Sequence, residues 1–300
     1  MHAVAAIVSL INLHRIRVRV NWKLVQNFTT LPVEIMYSFV FPTHNSLLQR
    51  YFIRLAYKGT RYHGWQVQPN ATAIQPLLDE KLGLLLGTAV ATTGAGRTDA
   101  GVHARCFYAH FELDEPGIAD TDKLVHQLNA VLPVDISIQQ IIRVTSKAHA
   151  RFSALSRTYE YHLHSRKDPF LEGYSLFFPR PLSLPPMEKA CERLLGEQDF
   201  SAFSKSHTDV HTTICRIFSA SWSFSEHRMV FTIKANRFLR NMVRSIVGTM
   251  LEIGLERMNP DEFTGVIHSH NRSAAGQSVA ASGLYLTDIE YPPDIYEKLV

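Results

Sequence analysis

Between Tyr51 and Glu290 the chain alternates strand-like segments with helical ones, and this alternation constrains the fold more than any other feature. Strands are expected where apolar residues recur every second position, and helices where they recur every three or four positions. Both kinds occur in similar amounts before and after His149, and no low-complexity linker separates the halves. The pattern predicts an α+β protein in which two units share a sheet, although no strong sequence repeat relates them.

The first half is predicted to begin with a strand at 51–57. A helix follows, for which Thr72 and Gln75 have the spacing of a capping box, and Gly87 ends it after Leu86. Strands at 107–113 and 136–144 and a helix at 122–131, which Pro133 stops, complete this half.

The second half is predicted to hold strands at 157–163, 214–224, 229–235 and 283–290. Pro186 opens a helix that Gly196 closes, with Leu194 and Leu195 on its apolar face. A long helix with one apolar face is predicted from about Phe238 to Ile253, and a shorter helix at 260–269.

These patterns divide the chain into an N-terminal extension (1–48), a first α/β half (49–147) and a second α/β half (148–300). The extension starts with an apolar run, 1–13, and its arginines follow that run, which is the reverse of a signal peptide. The run is also too short for a membrane helix. We therefore expect an appended or wrongly started segment of doubtful function, with the folded sequence beginning near Met36 or Ser46.

The formal net charge of +4 gives no general argument for a nucleic-acid partner. The first 50 residues hold five basic side chains and one acidic one, so the remaining 250 residues are balanced. Any basic face must therefore come from local clustering of charges.

Cysteine usage indicates a reducing compartment such as the cytosol, because the three cysteines are scattered and include no CxxC pair. His207, His211 and Cys215 lie four residues apart and would align on a helix as metal ligands. The β-branched residues around them disfavour a helix. A polar loop entering a strand is therefore predicted, with no metal site.

The segment 94–104, Gly-Ala-Gly-Arg-Thr-Asp-Ala-Gly-Val-His-Ala, places Asp99 between Arg97 and His103 among small residues. Carboxylates are rarely buried without a partner, so packing does not explain this one. Two interpretations remain from the residues alone: a turn residue that caps a backbone amide, or a nucleophile held toward a substrate. The glycines lack the spacing of a dinucleotide or P-loop motif.

This segment resembles the catalytic loop of the TruA family of tRNA pseudouridine synthases. Four further segments resemble that family in order and spacing: 57–66, 149–159, 234–244 and 283–286. The departures are small: Lys58 stands where Asp is usual, Arg105-Cys106-Phe107 differs on the flank of the loop, and Val279-Ala280 replaces Ala-Pro. The five segments together are specific, although the last is too short to be informative alone.

The resemblance implies two ferredoxin-like-type α/β halves that share a mixed, mostly antiparallel sheet, with the active-site cleft between them. It implies a cytoplasmic homodimer that acts on the anticodon stem-loop of tRNA, converting uridine to pseudouridine at positions 38, 39 and 40. That reaction is a redox-neutral isomerisation, so no cofactor and no metal are expected.

The resemblance also assigns four site residues. Asp99 is the nucleophile, and Arg244 from the long helix is its charge partner. Arg97 helps to displace the target base from its stack. Tyr159 is the platform under the uracil ring, and its hydroxyl could also take part in removing the C5 proton.

Structural interpretations of the same residues remain open at this point. Tyr159 has the propensity of an ordinary strand aromatic, and Arg244 could be a solvated helix residue. His103 and His149 are expected to be structural or to contact the RNA backbone. The residues expected on an RNA surface are Arg54, Lys58, Arg61, Arg105, Arg151, Arg157, Arg237 and Arg240.

Two other classes of protein compete with this interpretation. A non-catalytic RNA-binding protein on the same fold need not keep Asp99, Arg97, Tyr159 and Arg244 together. An aspartate-dependent hydrolase expects a second carboxylate, and no acidic residue lies within ten residues of Asp99 on either side.

Overall fold

The computed structural model describes residues 48–205 and 212–297. Within them, one sheet contains ten strands: β1 (Gln49–Tyr57), β2 (Thr93–Gly94), β3 (His103–Leu113), β4 (Ile136–Val144), β5 (Ser156–His164), β6 (Leu176–Phe177), β7 (Gly196–Asp199), β8 (Ile214–Ser225), β9 (Arg228–Ala235) and β10 (Leu284–Glu290). The same residues form five α-helices: α1 (Ile74–Leu86), α2 (Thr121–Val131), α3 (Leu184–Leu194), α4 (Met242–Gly254) and α5 (Pro260–His268).

The order of the strands is the same in both halves of the sheet. The first half runs β4-β1-β3-β2 and the second runs β10-β5-β9-β8, each with antiparallel neighbours. With helices after the first and third strands of each set, this is the ferredoxin-like arrangement. The sequence shows no repeat that would have revealed the duplication.

The two halves join through a short parallel pairing, in which Tyr285 and Leu286 of β10 lie opposite His103 and Ala104 of β3. The pairing of β5 with β6 is also parallel. The predicted α+β class with a mixed, mostly antiparallel sheet is therefore confirmed. The position of the domain boundary at 147/148 stays a prediction.

The core forms two apolar clusters that meet beside Tyr159. One cluster packs α1 and α2 against the first half of the sheet through residues such as Leu78 and Leu128. The other packs α3, α4 and α5 against the second half, with Met250 fully buried. Tyr159 of β5 contacts both clusters, so this residue lies where the cores of the two halves meet.

The start of α1 differs from the predicted capping box. The helix begins at Ile74 after Ala73, and no side chain caps its first amides. Gln75 instead donates from its side chain to the carbonyl oxygen of Thr92 at 2.7 Å. The prediction was wrong because the side chain of Gln75 forms this tertiary hydrogen bond instead of the local one that a capping box requires.

Strand β3 begins at His103 rather than at the predicted 107, because Ala104 still pairs with Tyr57 of β1. Helix α3 begins at Leu184, two residues before Pro186.

The start of α4 and the end of α3 also differ from the sequence prediction. Helix α4 begins at Met242 rather than near Phe238, because Asn241 has a φ of 67° and interrupts the helical backbone. Leu195 is exposed rather than apolar-packed, because α3 ends at Leu194 and Leu195 is already extended. The turn before α4 matters for the site, since it carries Arg240.

None of the helices in the described ranges has the length and hydropathy of a membrane span. The N-terminal extension lies outside those ranges, apart from Leu48, and so do His207 and His211 of the histidine–cysteine spacing. Cys215, the third member of that spacing, lies buried in β8.

Candidate active site

The loop from Ala95 to Val102, here called the Asp99 loop, connects β2 to β3 and rests on the segment 57–65. Thr98 accepts a hydrogen bond from the backbone amide of Trp65 at 3.4 Å, and its hydroxyl lies 2.8 Å from the hydroxyl of Tyr57. The amide of Gly101 donates to the carbonyl of Tyr62 at 3.2 Å. Two of the segments that resemble the family therefore form one packed unit.

This packing depends on glycine at Gly59 and Gly64. A Cβ atom at Gly59 would overlap the carbonyl oxygen of Val102, and one at Gly64 would overlap the carbonyl oxygen of Thr98. Gly64 also has a φ of 92°, which L-residues rarely adopt. The close approach of the two backbones fixes where the Asp99 carboxylate lies.

We expect Gly64→Ala to destabilise the protein by at least about 2 kcal/mol, because backbone strain and overlap with Thr98 act together. Urea unfolding followed by circular dichroism measures this change. Gly265→Ala is the matched control, since a Cβ there meets open space within α5, and it should be neutral or stabilising. Equal stability of Gly64→Ala and the parent would show that the loop does not need this approach.

Two arginines flank the carboxylate of Asp99. Arg244 Nη1 lies 3.7 Å from Oδ2, and Arg240 Nε lies 3.6 Å from Oδ1. These are ion-pair distances rather than hydrogen-bond distances. The Asp99 side chain is 26% exposed, so the carboxylate remains accessible beside its two positively charged partners.

Arg244 is fixed by the chain that precedes β10. Its Nε donates to the carbonyl of Val279 at 2.8 Å, and the amide of Val279 donates back to the carbonyl of Arg244 at 3.2 Å. Its side chain is 22% exposed. The structure thus places Arg244 beside Asp99, as expected, and not on a solvated helix face.

Arg97 is the one predicted site residue that the structure does not bring to the carboxylate. Its side chain is exposed and makes no hydrogen bond or ion pair with any described residue. It extends from the same loop as Asp99. Its guanidinium is thus unpaired within the described chain and available to a ligand.

Tyr159 lies on β5 at the junction of the two halves, with its ring edge-on to Phe238 at a centroid distance of 5.1 Å. Burial raises the pKa of its phenol to about 12, with a smaller contribution from the negative charge of Asp99. The hydroxyl therefore stays protonated at neutral pH. Phe238 precedes Arg240 by two residues, so the ring lies beside the turn that carries this partner of Asp99.

Arg157 was expected on an RNA surface, and the structure corrects this. Its guanidinium donates to three backbone carbonyls: Asn236 at 2.9 Å, Ala95 at 3.1 Å and Arg151 at 2.6 Å. Burial lowers its pKa. Arg157 therefore ties the Asp99 loop to the turn after β9 and to the segment 149–153.

His103 and His149 both make structural contacts, which is one of the two roles expected for them. His103 Nδ1 accepts from the amide of Gly59 at 3.2 Å, and its Nε2 lies 3.1 Å from the carbonyl of Gly173. Its ring stacks on Tyr285. Burial lowers the pKa of His103, so the ring is held neutral between these partners.

The other expected RNA-surface residues differ in exposure. Lys58, Arg61, Arg105, Arg151 and Arg240 are exposed, whereas Arg54 and Arg237 are half-buried. Arg61 pairs with Asp135 at 2.7 Å, and Arg105 pairs with Glu160 at 3.6 Å. Within the described residues, no group of three or more His, Cys, Asp or Glu side chains is arranged to hold a metal ion.

Comparison with known proteins shows the family to which the chain belongs. A family model described as tRNA pseudouridine synthase matches residues 190–292. The tRNA pseudouridine synthase A of Bacteroides fragilis is 48% identical over 252 residues, which cover 83% of this chain and 99% of that protein. The chain belongs to the tRNA pseudouridine synthase A family. The enzyme of the same name from Parabacteroides distasonis is 47% identical over 83% of this chain and 98% of its own length. The enzyme from Streptococcus thermophilus is 41% identical over 81% of this chain and 99% of its own length.

The resemblance to the TruA family, which the sequence motifs carry, is thus confirmed. Sequence reasoning missed Arg240 as a second partner of Asp99 and Arg157 as an organiser of the loop. For Arg157 a signal existed, because residues two apart on a strand share a face, and Arg157 precedes Tyr159 by two. No comparable signal marked Arg240, which lies in a turn where a helix was predicted.

Proposed function

We propose that this protein converts uridine to pseudouridine at positions 38, 39 and 40 in the anticodon stem-loop of tRNAs, with Asp99 as the nucleophile. The observation that carries the proposal is the accessible Asp99 carboxylate between Arg240 and Arg244, with the half-buried ring of Tyr159 packed on Phe238 beside the turn that carries Arg240. Membership of the tRNA pseudouridine synthase A family supports the reaction class.

The reaction balances without an external reactant. The glycosidic bond between C1′ and N1 breaks, the base turns, and a bond forms between C1′ and C5. The C5 proton leaves to solvent and N1 takes up a proton, so the product is an isomer of the substrate. No electron is transferred, and the chemistry needs a nucleophile, a proton acceptor and a means of holding the base.

The site residues divide these tasks. Asp99 supplies the anionic oxygen, and Arg244 and Arg240 offset its charge and position it. Tyr159 offers its ring as a platform for uracil, for which stacking contributes about 1–3 kcal/mol. Its hydroxyl is the group proposed to take part in removing the C5 proton.

The exposed Arg97 guanidinium is proposed to occupy the space of the target base once that base leaves its stack. Unstacking costs a few kcal/mol, which a planar cation inserted into the stem can offset. The exposed basic residues Lys58, Arg61, Arg105, Arg151 and Arg240 are proposed to contact phosphates, so binding should weaken as salt rises.

We further propose a cytoplasmic homodimer in which both subunits contact each tRNA. The buried, unpaired thiols of Cys106, Cys191 and Cys215 support a reducing compartment. The subunit arrangement rests on the family resemblance alone.

Arg97→Ala is expected to lower turnover by about 10- to 100-fold on a stem in which the target uridine is paired. The deficit should shrink when the opposing nucleotide is changed so that the target is unpaired, because less unstacking is then required. Single-turnover rates on the two RNAs measure the difference. Arg166→Ala, which removes another exposed arginine, is the control. The same deficit on both RNAs would contradict the proposed role.

Mapping pseudouridine in tRNA from cells with and without the gene tests the function as a whole. Loss of the modification at positions 38 to 40, and its return with the wild-type gene but not with Asp99→Asn, is the expected result. Full modification in cells without the gene would contradict it. Return of the modification with both genes would favour a non-catalytic RNA-binding role.

A further inference from the structure

Phe152 is an aromatic side chain that the structure leaves 75% exposed next to the Asp99 loop. Its ring contacts only His149 and Arg151 among the described residues with ring or cation contacts, with the His149 ring at 4.4 Å and the Arg151 guanidinium at 5.4 Å. Neither contact removes the ring from solvent. The aromatic face of Phe152 is therefore available to a ligand.

The backbone beneath Phe152 is held by an unusual number of hydrogen bonds. His149 Nδ1 accepts from the amides of Arg151 and Phe152 at 3.0 and 3.3 Å. The amide of Ala150 donates to His110 Nδ1 at 3.2 Å, and its carbonyl accepts from the hydroxyl of Tyr291 at 2.6 Å.

The turn is also closed on itself. The amide of Ser153 donates to the carbonyl of His149 at 2.9 Å, and the Ser153 hydroxyl accepts from the amide of His149 at 2.9 Å. These partners hold the backbone of the turn, so the Cα atom from which the exposed ring extends has little freedom.

Arg157 connects this turn directly to the site. The same nitrogen, Nη2, donates to the carbonyl of Arg151 at 2.6 Å and to the carbonyl of Ala95 at 3.1 Å. Phe152 follows Arg151, and Ala95 begins the Asp99 loop. The turn that carries Phe152 therefore lies beside the start of the Asp99 loop, at the rim of the site.

We propose that Phe152 is a stacking platform for the base of a nucleotide next to the target uridine, with Arg151 placed to meet the adjoining phosphate. This inference rests on the proposed function, because the ligand is the RNA that enters the same site. An exposed aromatic ring beside a cation, on a rigid support, is the combination that binds single-stranded bases without reading their sequence.

A second copy of this chain is the alternative binding partner for the exposed ring. The Arg151 guanidinium beside the ring favours RNA, because a guanidinium pairs with the phosphates of the RNA backbone. The position at the rim of the site points the same way.

The test compares Phe152→Leu with Phe152→Trp in equilibrium binding to an anticodon stem-loop RNA. Leucine keeps an apolar side chain and removes the aromatic face, so binding should weaken by about 5- to 150-fold, the loss of one stacked base. Tryptophan should bind as well as the parent. Phe170→Leu, at a position 88% exposed that follows the far end of β5, is the matched control and should bind normally.

RNAs with an abasic nucleotide on one side or the other of the target identify the partner base. One of the two abasic RNAs should bind the parent more weakly, by the same factor by which Phe152→Leu weakens binding of the intact RNA. The affinity of Phe152→Leu for that abasic RNA should show no further loss. In turnover, the leucine variant should show a raised KM with kcat nearly unchanged.

Parental binding by Phe152→Leu, or additive losses with both abasic RNAs, would overturn the proposal. A change in oligomeric state without a change in RNA binding would assign the ring to a subunit contact instead. These binding outcomes do not depend on turnover, so they are distinct from a failure of the parent to form pseudouridine, which would contradict the proposed function.

Discussion

Asp99→Asn should abolish pseudouridine formation, with a loss of at least about 10⁴-fold, while tRNA binding stays nearly unchanged. Asparagine keeps the size of the side chain and most of its hydrogen-bonding capacity, but it removes the anionic oxygen that the nucleophile requires. Release of tritium from [5-³H]uridine tRNA measures turnover directly, because each pseudouridine formed releases the C5 hydrogen. A filter-binding assay on the same preparation measures affinity.

Asp294→Asn is the control for the asparagine substitution, since Asp294 is an exposed carboxylate at the C-terminal end of the described chain. It should retain parental turnover. Residual turnover within about tenfold of the parent in Asp99→Asn would remove Asp99 from the mechanism, whatever its distance from Arg240 and Arg244.

Tyr159→Phe should bind tRNA as the parent does and lose about 10²- to 10⁴-fold in turnover. Phenylalanine keeps the ring on which uracil stacks and deletes only the hydroxyl. Tyr159→Leu removes the ring as well and should also weaken binding, by about 1–3 kcal/mol. Single-turnover rates and equilibrium binding measured on both variants separate the two contributions.

The pH dependence gives an independent test of the hydroxyl. Because burial raises the pKa of Tyr159 to about 12, the phenolate is scarce at neutral pH and increases about tenfold with each pH unit. Parental turnover should therefore rise with pH above neutrality, and Tyr159→Phe should lack that rise. Near-parental turnover in the phenylalanine variant would leave the ring as a platform only, and parental turnover in the leucine variant would exclude Tyr159 from the site.

Much of the fold follows from local patterns. The alternation of apolar residues at every second position predicted both ends of β4 correctly, and turn-forming residues predicted where α1 and α2 end. The errors arose where tertiary contacts compete with local signals. Gln75 bonds to Thr92 instead of capping α1, and Asn241 breaks an apolar pattern that continues through Phe238. The order of the strands, and with it the duplication of the two halves, is not a local property and no pattern in the sequence contains it.

The residues of the site also divide into those that a local motif predicts and those that only tertiary contacts reveal. Asp99, Tyr159 and Arg244 were located because each lies in a segment that resembles a family motif. Arg240 and Arg157 act through contacts with residues far away in sequence, namely Asp99 and the carbonyls of Ala95 and Asn236. Such partners are identified only when the two halves of the sheet are brought together around β5.

The most direct test of the account is to incubate the purified chain with an unmodified tRNA transcript that has uridine at positions 38, 39 and 40, and to map pseudouridine at single-nucleotide resolution. The expected result is pseudouridine at those positions with the parent and none with Asp99→Asn. A folded parent that binds the transcript and forms no pseudouridine, or forms it only outside the anticodon stem-loop, would contradict the account.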